Sequence, residues 1–461
     1  MESARRAVLK KEVLQLVRGR QFVALLVVEA ILAVASFALA GRQWQREADS
    51  ARMLAETNQR RLAMLSSWSD VEDTGVLVPP PTPAGRFLVS SVVWPGFLVT
   101  PPELPRPLGG ADQSPLPAPG QVLLVFFSLF SLILSFDAVG VEKAQRTLAL
   151  LLVVSGSRRT LLEVKFAVRA GVAAAGALLS QLLAAFCTAM VLPDFVREPT
   201  FLRVFVGLVL FLTACSVLFT AVGLAVSCLF SEPLTALLAG VGAWVLLVIA
   251  LPGAGTTLAR AVVPPPSRTL FEAQAAALYA RHSQRLEEAM VEPLRRWAQE
   301  GPAGQQHFEQ EANRIREELR TELQRSLLSL FASHLRQEQR SRRAEFWTTG
   351  FTPTGLYTAG LAHLATADPA SWHAFLQAVT EYGGVLAQRV QERRGSIRFV
   401  MVGAKNPYAE NRPTPEELPG FRFSPAGAPW PSQLPRLLGL GVWTAFFFAL
   451  ALTSFKRMDP R

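Results

Sequence analysis

The stretch "EKAQRTLALLLVVSGSRR", residues 142–159, decides how the chain is read. Charged residues open it at Glu142, Lys143 and Arg146, and Arg158 and Arg159 close it. Between them, Thr147 to Val154 forms an apolar segment too short to cross a bilayer, which needs about 20 residues. Runs of spanning length lie on either side of it. A short apolar helix bounded by charge, between two spans, belongs at a membrane surface, with one side toward lipid and the other toward protein.

Working outward, six apolar runs are expected to span: 21–40, 121–138, 166–192, 203–230, 234–252 and 437–455. The chain has 461 residues, 50% of them hydrophobic and 18% charged, with a mean hydropathy of +0.27. That is too little charge for a soluble protein of this length. The charge it has is concentrated, most of all in residues 270–345. The expected fold class is an all-α polytopic membrane protein of about six transmembrane helices. A large, mainly helical domain is expected over 253–436, between the fifth and sixth spans, with minor strand.

Net charge is +10 and the pI about 10.1, values that also suit a nucleic-acid binder. Position argues otherwise. Arg5, Arg6, Lys10, Lys11, Arg18 and Arg20 precede the first run. Lys143, Arg146, Arg158, Arg159 and Lys165 separate the second and third. Lys456, Arg457 and Arg461 follow the sixth. An even number of spans puts all three clusters on one face, the cytoplasm by the positive-inside rule. Both termini are then cytoplasmic and the segments 41–120 and 253–436 lie outside. No nucleic acid is needed to explain the pI. Residues 1–20 have apolar Val8, Val13, Leu14, Leu16 and Val17 against Lys10, Lys11, Glu12, Arg18 and Arg20, the pattern of an interfacial helix. Ala38-Leu39-Ala40 resembles a leader-cleavage site, but the run before it is longer than a leader's apolar core, so an uncleaved first span is expected.

In the outer segments, 41–120 begins helical and turns Pro-rich. "FLVSSVVWPGFLV" (87–99) reads as a strand or as a surface segment anchored by Trp94. Residues 270–299 and 305–345 read as two long helices divided by Gly301-Pro302 and Gly304, with an apolar stripe from Ile315 to Phe331. A third helix is expected from Pro369 to about Arg394, a short strand at 396–404, and loop at 406–420.

Residue patterns that carry chemistry are few. Cys187, Cys215 and Cys228 lie in apolar runs and form no metal spacing. His282, His307, His334, His363 and His373 make no HExxH; His363 and His373, with Asp368 between them, are the one pair that folding could bring together. No GxSxG or GxxxxGK[ST] occurs, so neither catalytic residues nor a cofactor or metal are assigned, and ATP phosphates are not expected to bind here. The intramembrane polar candidates are Glu29, Asp137 and Arg169. For Glu29 the alternatives are a paired structural contact between helices and a substrate or proton role.

"FDAVGVEKAQRTLALLLVVSGSRRTLLEVKF" (136–166) resembles the signature of bacterial type-2 ABC exporter permeases. Asp137, Glu142, Lys143, Thr147, Leu148, Leu150, Leu151, Arg158 or Arg159, and Lys165 match, while Arg146 stands where that family usually has Gly. "KKEVLQLVRGRQF" is similar to its N-terminal interfacial helix through Lys11, Glu12 and Arg18. "FTPTGLYTAGLAHLATADPASWHAFLQAV" (351–379) and "LPGFRFSPAG" (418–427) resemble the subgroup with a large periplasmic domain between the last two helices. The resemblance implies a permease of the bacterial inner membrane, paired with a second permease subunit, identical or paralogous. It also implies a separate ABC ATPase subunit that uses ATP and Mg. The coupling helix would be 142–159, with Glu142, Lys143, Arg146, Thr147, Leu148, Leu151, Arg158 and Arg159 as its contact residues. The alternative is an ABC-type mechanotransmitter that drives periplasmic partners and moves no solute.

Overall fold

The structure, a computed structural model, describes residues 2–17, 19–65, 68–89, 96–100, 106–108, 118–155, 157–395, 413, 417–423 and 429–457. Of these, 85% are helical. In chain order the helices are α1 Glu2–Val17, α2 Arg20–Ala63, α3 Trp68–Thr74, α4 Arg86–Val89, α5 Pro119–Ile133, α6 Gly140–Ala144, α7 Leu148–Ser155, α8 Arg158–Val191 and α9 Pro193–Arg197. There follow α10 Pro199–Leu229, α11 Pro233–Val245, α12 Leu251–Val262, α13 Arg268–Glu300, α14 Gln305–Thr349, α15 Pro353–Leu364, α16 Pro369–Gly395 and α17 Leu434–Arg457. Strands β1 Val76–Val78, β2 Gly96–Val99 and β3 Arg106–Leu108 form one antiparallel sheet in that order.

Among the described residues, five helices are long and apolar enough to cross a membrane: those over Phe22–Ala63, Arg158–Val191, Pro199–Leu229, Pro233–Val262 and Trp430–Arg457. The chain is therefore a multi-pass membrane protein. The second expected run, 121–138, is an α-helix only over Pro119–Ile133, 15 residues or about 22 Å. Its end is held open by hydroxyls that bond backward to backbone carbonyls: Ser131 donates to Phe127 and Ser135 to Ser131. Gly223 of α10 packs there so closely that a Cβ would meet the Leu132 carbonyl at 2.9 Å.

Several helices run past the expected boundaries. No proline interrupts α2 after its apolar first half, so it continues as one rod of 44 residues. The helix begun by α11 continues through a π-helical turn, Leu246–Ala250, into α12. Pro252 cannot donate to the carbonyl four residues back, and Thr354 directs its hydroxyl to the carbonyls of Leu247 and Val248, at 3.4 and 3.5 Å.

The main core sits among the spans, where Phe37, Phe127, Phe211, Leu212, Leu218 and Phe219 interdigitate. A second core joins the two expected outer segments into one body: Trp68 and Val71 of α3 and the sheet residues Val76, Val78, Phe97 and Val99 pack on Phe375, Val379 and Leu386 of α16. The far end of α2 is stitched to this body, since Asn58 accepts from the Leu77 amide at 2.8 Å and Arg61 donates to the Thr74 carbonyl at 2.7 Å. The expected long helices appear as the hairpin α13–α14, about 50 and 68 Å long, turning at Gly301 with φ +65°. The expected strand at 396–404 and Trp94 lie outside the described residues. Residues 87–99 divide into α4 and β2 rather than forming one strand.

Helix α15 was not foreseen. It packs between α10 and α17, with Gly360 against the Phe211 ring, Leu356 against Gly439 and Tyr357 donating to the Gly120 carbonyl at 2.7 Å.

Candidate functional site

The site is built where α1, α6, α7, α8 and the end of α17 meet. Lys165 of α8 is 1% exposed. A buried ammonium needs carboxylates within hydrogen-bond distance, and Lys165 has two. Its Nζ lies 2.7 Å from Glu12 Oε1 of α1 and 2.9 Å from Glu142 Oε1 of α6. Lys11 approaches Glu142 from the rim at 3.5 Å. Two cations and two carboxylates thus close a neutral cluster across three helices.

The turn after α6 follows from local chemistry. The Glu142 carbonyl accepts from the Thr147 amide at 3.0 Å and from its hydroxyl at 3.3 Å. Arg146 stands at φ +57°, in the left-handed region where glycine is unstrained. The resemblance expects glycine at this position, and the backbone keeps the glycine conformation with an exposed arginine in place. Ser227, at the end of α10, accepts from the amides of Val139 and Gly140 at 2.9 and 3.2 Å, which fixes the start of α6.

Helix α7 is eight residues long, about 12 Å. Leu148 and Leu151 are buried against Leu161, Leu162, Val164 and Val168 of α8. Leu150 and Val153 face away and are 67% and 80% exposed. The far end is pinned twice. Ser157 caps α8 through the Thr160 amide at 3.0 Å. Arg158 donates to the carbonyls of Phe455 and Lys456 at 3.0 and 2.7 Å, closing the C-terminus of α17. Arg159 pairs along its own helix with Glu163 at 2.7 Å. Among the described residues Lys143 joins no ion pair; it is half-buried.

Of the intramembrane candidates, Asp137 and Arg169 meet. Arg169 Nη1 lies 2.7 Å from Asp137 Oδ1 and also donates to the Leu134 carbonyl, one of the free acceptors at the broken end of α5. Glu29 is buried apart from them, its Oε2 beside Gly176 of α8, where a Cβ would come within 3.3 Å. Where α15 leads into α16, His363 reaches Asp368 at 3.2 Å, and Asp368 also accepts from the Ser371 amide at the start of α16. His373 does not join them; both of its ring nitrogens are buried and have no hydrogen-bond partner among the described residues.

The residues assigned from sequence therefore fall in one place: Glu142, Thr147, Leu148, Leu151 and Arg158 hold the segment, and Arg146 and Arg159 edge it. Glu12, Lys11 and Lys165, named from the sequence for flanking charge and for their resemblance but not as site residues, prove to be the other members of the ion cluster. Their signal was the recurrence of oppositely charged neighbours, "KKE" and "EVK", at the edges of apolar runs.

Among curated proteins, none matches the chain. A family model described as "ABC-2 family transporter protein" matches residues 6–460. That match takes in every residue of the cluster and all five long apolar helices, so the chain belongs to the ABC-2 family of transporter proteins and is a membrane-spanning permease component of an ABC transporter, a class that works with an ATPase partner.

Proposed function

We propose that the chain is the permease of an ATP-driven exporter of the bacterial inner membrane and that residues 139–165 receive the stroke of a separate ATPase subunit from the cytoplasm. The observation that carries this reading is α7 itself. It is too short to span, has one face packed on α8, and turns Leu150 and Val153 outward. A cleft on an ATPase that gripped those two side chains would push on a segment pinned at both ends. The push would pass through Leu148 and Leu151 into α8, through Arg158 into α17, and through the Lys165 cluster into α1. ATP and Mg are held by the partner, and two permease subunits, identical or paralogous, complete the assembly. Both termini and the basic clusters lie in the cytoplasm; the sheet body and the hairpin lie outside.

The test is Leu150→Glu with Val153→Glu. Both positions are exposed, so thermal unfolding should be unchanged while co-purification of the ATPase falls by tenfold or more. Retained co-purification, or labelling that puts Arg158 on the outer face, would overturn the assignment. A second reading, force transmission to an outer protein without solute movement, is favoured by the length of the α13–α14 hairpin. ATP hydrolysis stimulated only by an outer protein would select it; hydrolysis stimulated by a solute would select export.

A further inference from the structure

Helix α14 ends against α12, and the register between them is fixed by three contacts. Ser341 donates to the carbonyl of Val263, just past α12, at 3.2 Å, Glu345 meets Arg260 at 3.3 Å, and Thr348 backs onto Gly255; beyond them Thr354 of α15 reaches Val248 of the π-helical turn at 3.5 Å. The helix carrying α12 begins at Pro233, next to α6. A hydrocarbon core takes about 20 residues, so that helix leaves the core near residue 252. The last turns of α14 therefore descend to the bilayer surface.

What α14 presents there is ordered. Positions 336, 340, 343 and 347 are spaced by four, three and four residues, which places Arg336, Arg340, Arg343 and Trp347 on one stripe. Trp347 continues to Phe351, ring centroids 6.0 Å apart, and to Phe346 at 6.0 Å. Trp347 and Phe351 are 64% and 67% exposed, more than large aromatic side chains keep in water without a partner. The acids of this region face elsewhere: Glu338 pairs with Arg342, and Glu345 with Arg342 and Arg260. Arg340 and Arg343 make no ion pair among the described residues, and Arg336 donates to Ala332 of its own helix.

We propose that this stripe is a seat for phospholipid at the distal surface of the bilayer, with Trp347 and Phe351 in the interfacial layer and Arg340 and Arg343 on the headgroup phosphates. Aromatic rings at the headgroup level with guanidinium groups above them are the chemistry of an anionic, phosphate-bearing lipid. The depth fixed by α12 favours lipid over a second copy as the occupant. The seat would hold the foot of the hairpin while the spans move, whatever the cargo.

The test uses the full chain in phosphatidylcholine bilayers that contain brominated phosphatidylglycerol or, at equal mole fraction, brominated phosphatidylcholine. The signal is the fluorescence of wild type less that of Trp347→Phe. Both lipids should quench it, and phosphatidylglycerol should be preferred by about fivefold for each arginine engaged. Arg340→Gln with Arg343→Gln should keep the quenching, keep the thermal unfolding of the wild type, and lose the preference. Absence of quenching by either lipid would mean that protein covers Trp347, and equal quenching in the wild type would mean that no headgroup is read; either result overturns the seat and leaves the coupling of α7 untouched.

Discussion

Replacing Lys165 with Met keeps the length of the side chain and removes its charge. Lys165 Nζ sits within 3 Å of two carboxylate oxygens, and Lys165, Glu12 and Glu142 have side chains 1%, 3% and 9% exposed. At an effective dielectric constant near 20, each contact is worth about 6 kcal/mol of gross attraction. Most of that offsets the desolvation of the three ions. Removing the ammonium leaves the desolvation and loses the attraction. Lys11 remains near Glu142 at 3.5 Å, but it is half exposed and does not approach Glu12. The expected destabilisation is therefore that of a broken buried pair, about 3–5 kcal/mol. Adding Glu12→Gln removes the stranded charge and should restore at least 1 kcal/mol. Unfolding of the detergent-solubilised chain, followed by thiol-reactive dye at the buried Cys215 and Cys228, gives both values. A loss below 1 kcal/mol for Lys165→Met, or a double variant no more stable than the single, would refute the idea that the cluster holds α1 to α8.

Other expectations follow from groups buried elsewhere in the chain. Burial pushes the Arg86 guanidinium down to about 10, against the pull of Glu47, yet it stays charged at neutral pH and binds Glu47 at 2.8 Å and the Pro81 carbonyl at 3.1 Å. Arg86→Met should cost about 3–5 kcal/mol in the same assay, because it strands a buried carboxylate. Burial holds His373 below the usual 6.5, with Glu338 opposing and Arg342 reinforcing. The unfolded chain then takes up the proton first, so stability is full above about pH 6.5 and is lost as pH falls below it, by up to about 1.4 kcal/mol per unit. Hydrogen exchange of α16 at pH 7.5 and pH 5 should show this, and His373→Phe should flatten it. Gly360→Val would drive two methyl groups into the Phe211 ring and should destabilise by about 1–3 kcal/mol, read as earlier melting.

Much of this architecture was legible in the sequence, because hydropathy and basic flanks answer to the bilayer itself. The hairpin α13–α14 announced itself through the stripe from Ile315 to Phe331 and the break at Gly301. What escaped depends on partners distant in sequence. The run 121–138 is mostly apolar, but its helix stops at Ile133 because serine hydroxyls and Arg169 take its last carbonyls. Helix α15 is only 12 residues long and too mixed to stand out; it is ordered by α10 and α17. The site was half visible. The stretch 142–159 located it, but the resemblance took Leu148, Leu150 and Leu151 together, and only packing on α8 separates buried Leu148 and Leu151 from exposed Leu150. The bond from Lys165 to Glu12 joins positions 153 residues apart, and no local pattern reports such a meeting.

The unbroken course of α2 has one more consequence. It starts one residue past Gly19, beside the helix that bears Glu12, and ends sewn to the sheet through Asn58 and Arg61. A stiff shaft of 44 residues is about 66 Å long, so a swing of about 5° at one end carries the other about 6 Å. A hinge within α2 would dissipate that travel; without one, the shaft works as a crank between the basic end of the bundle and the sheet.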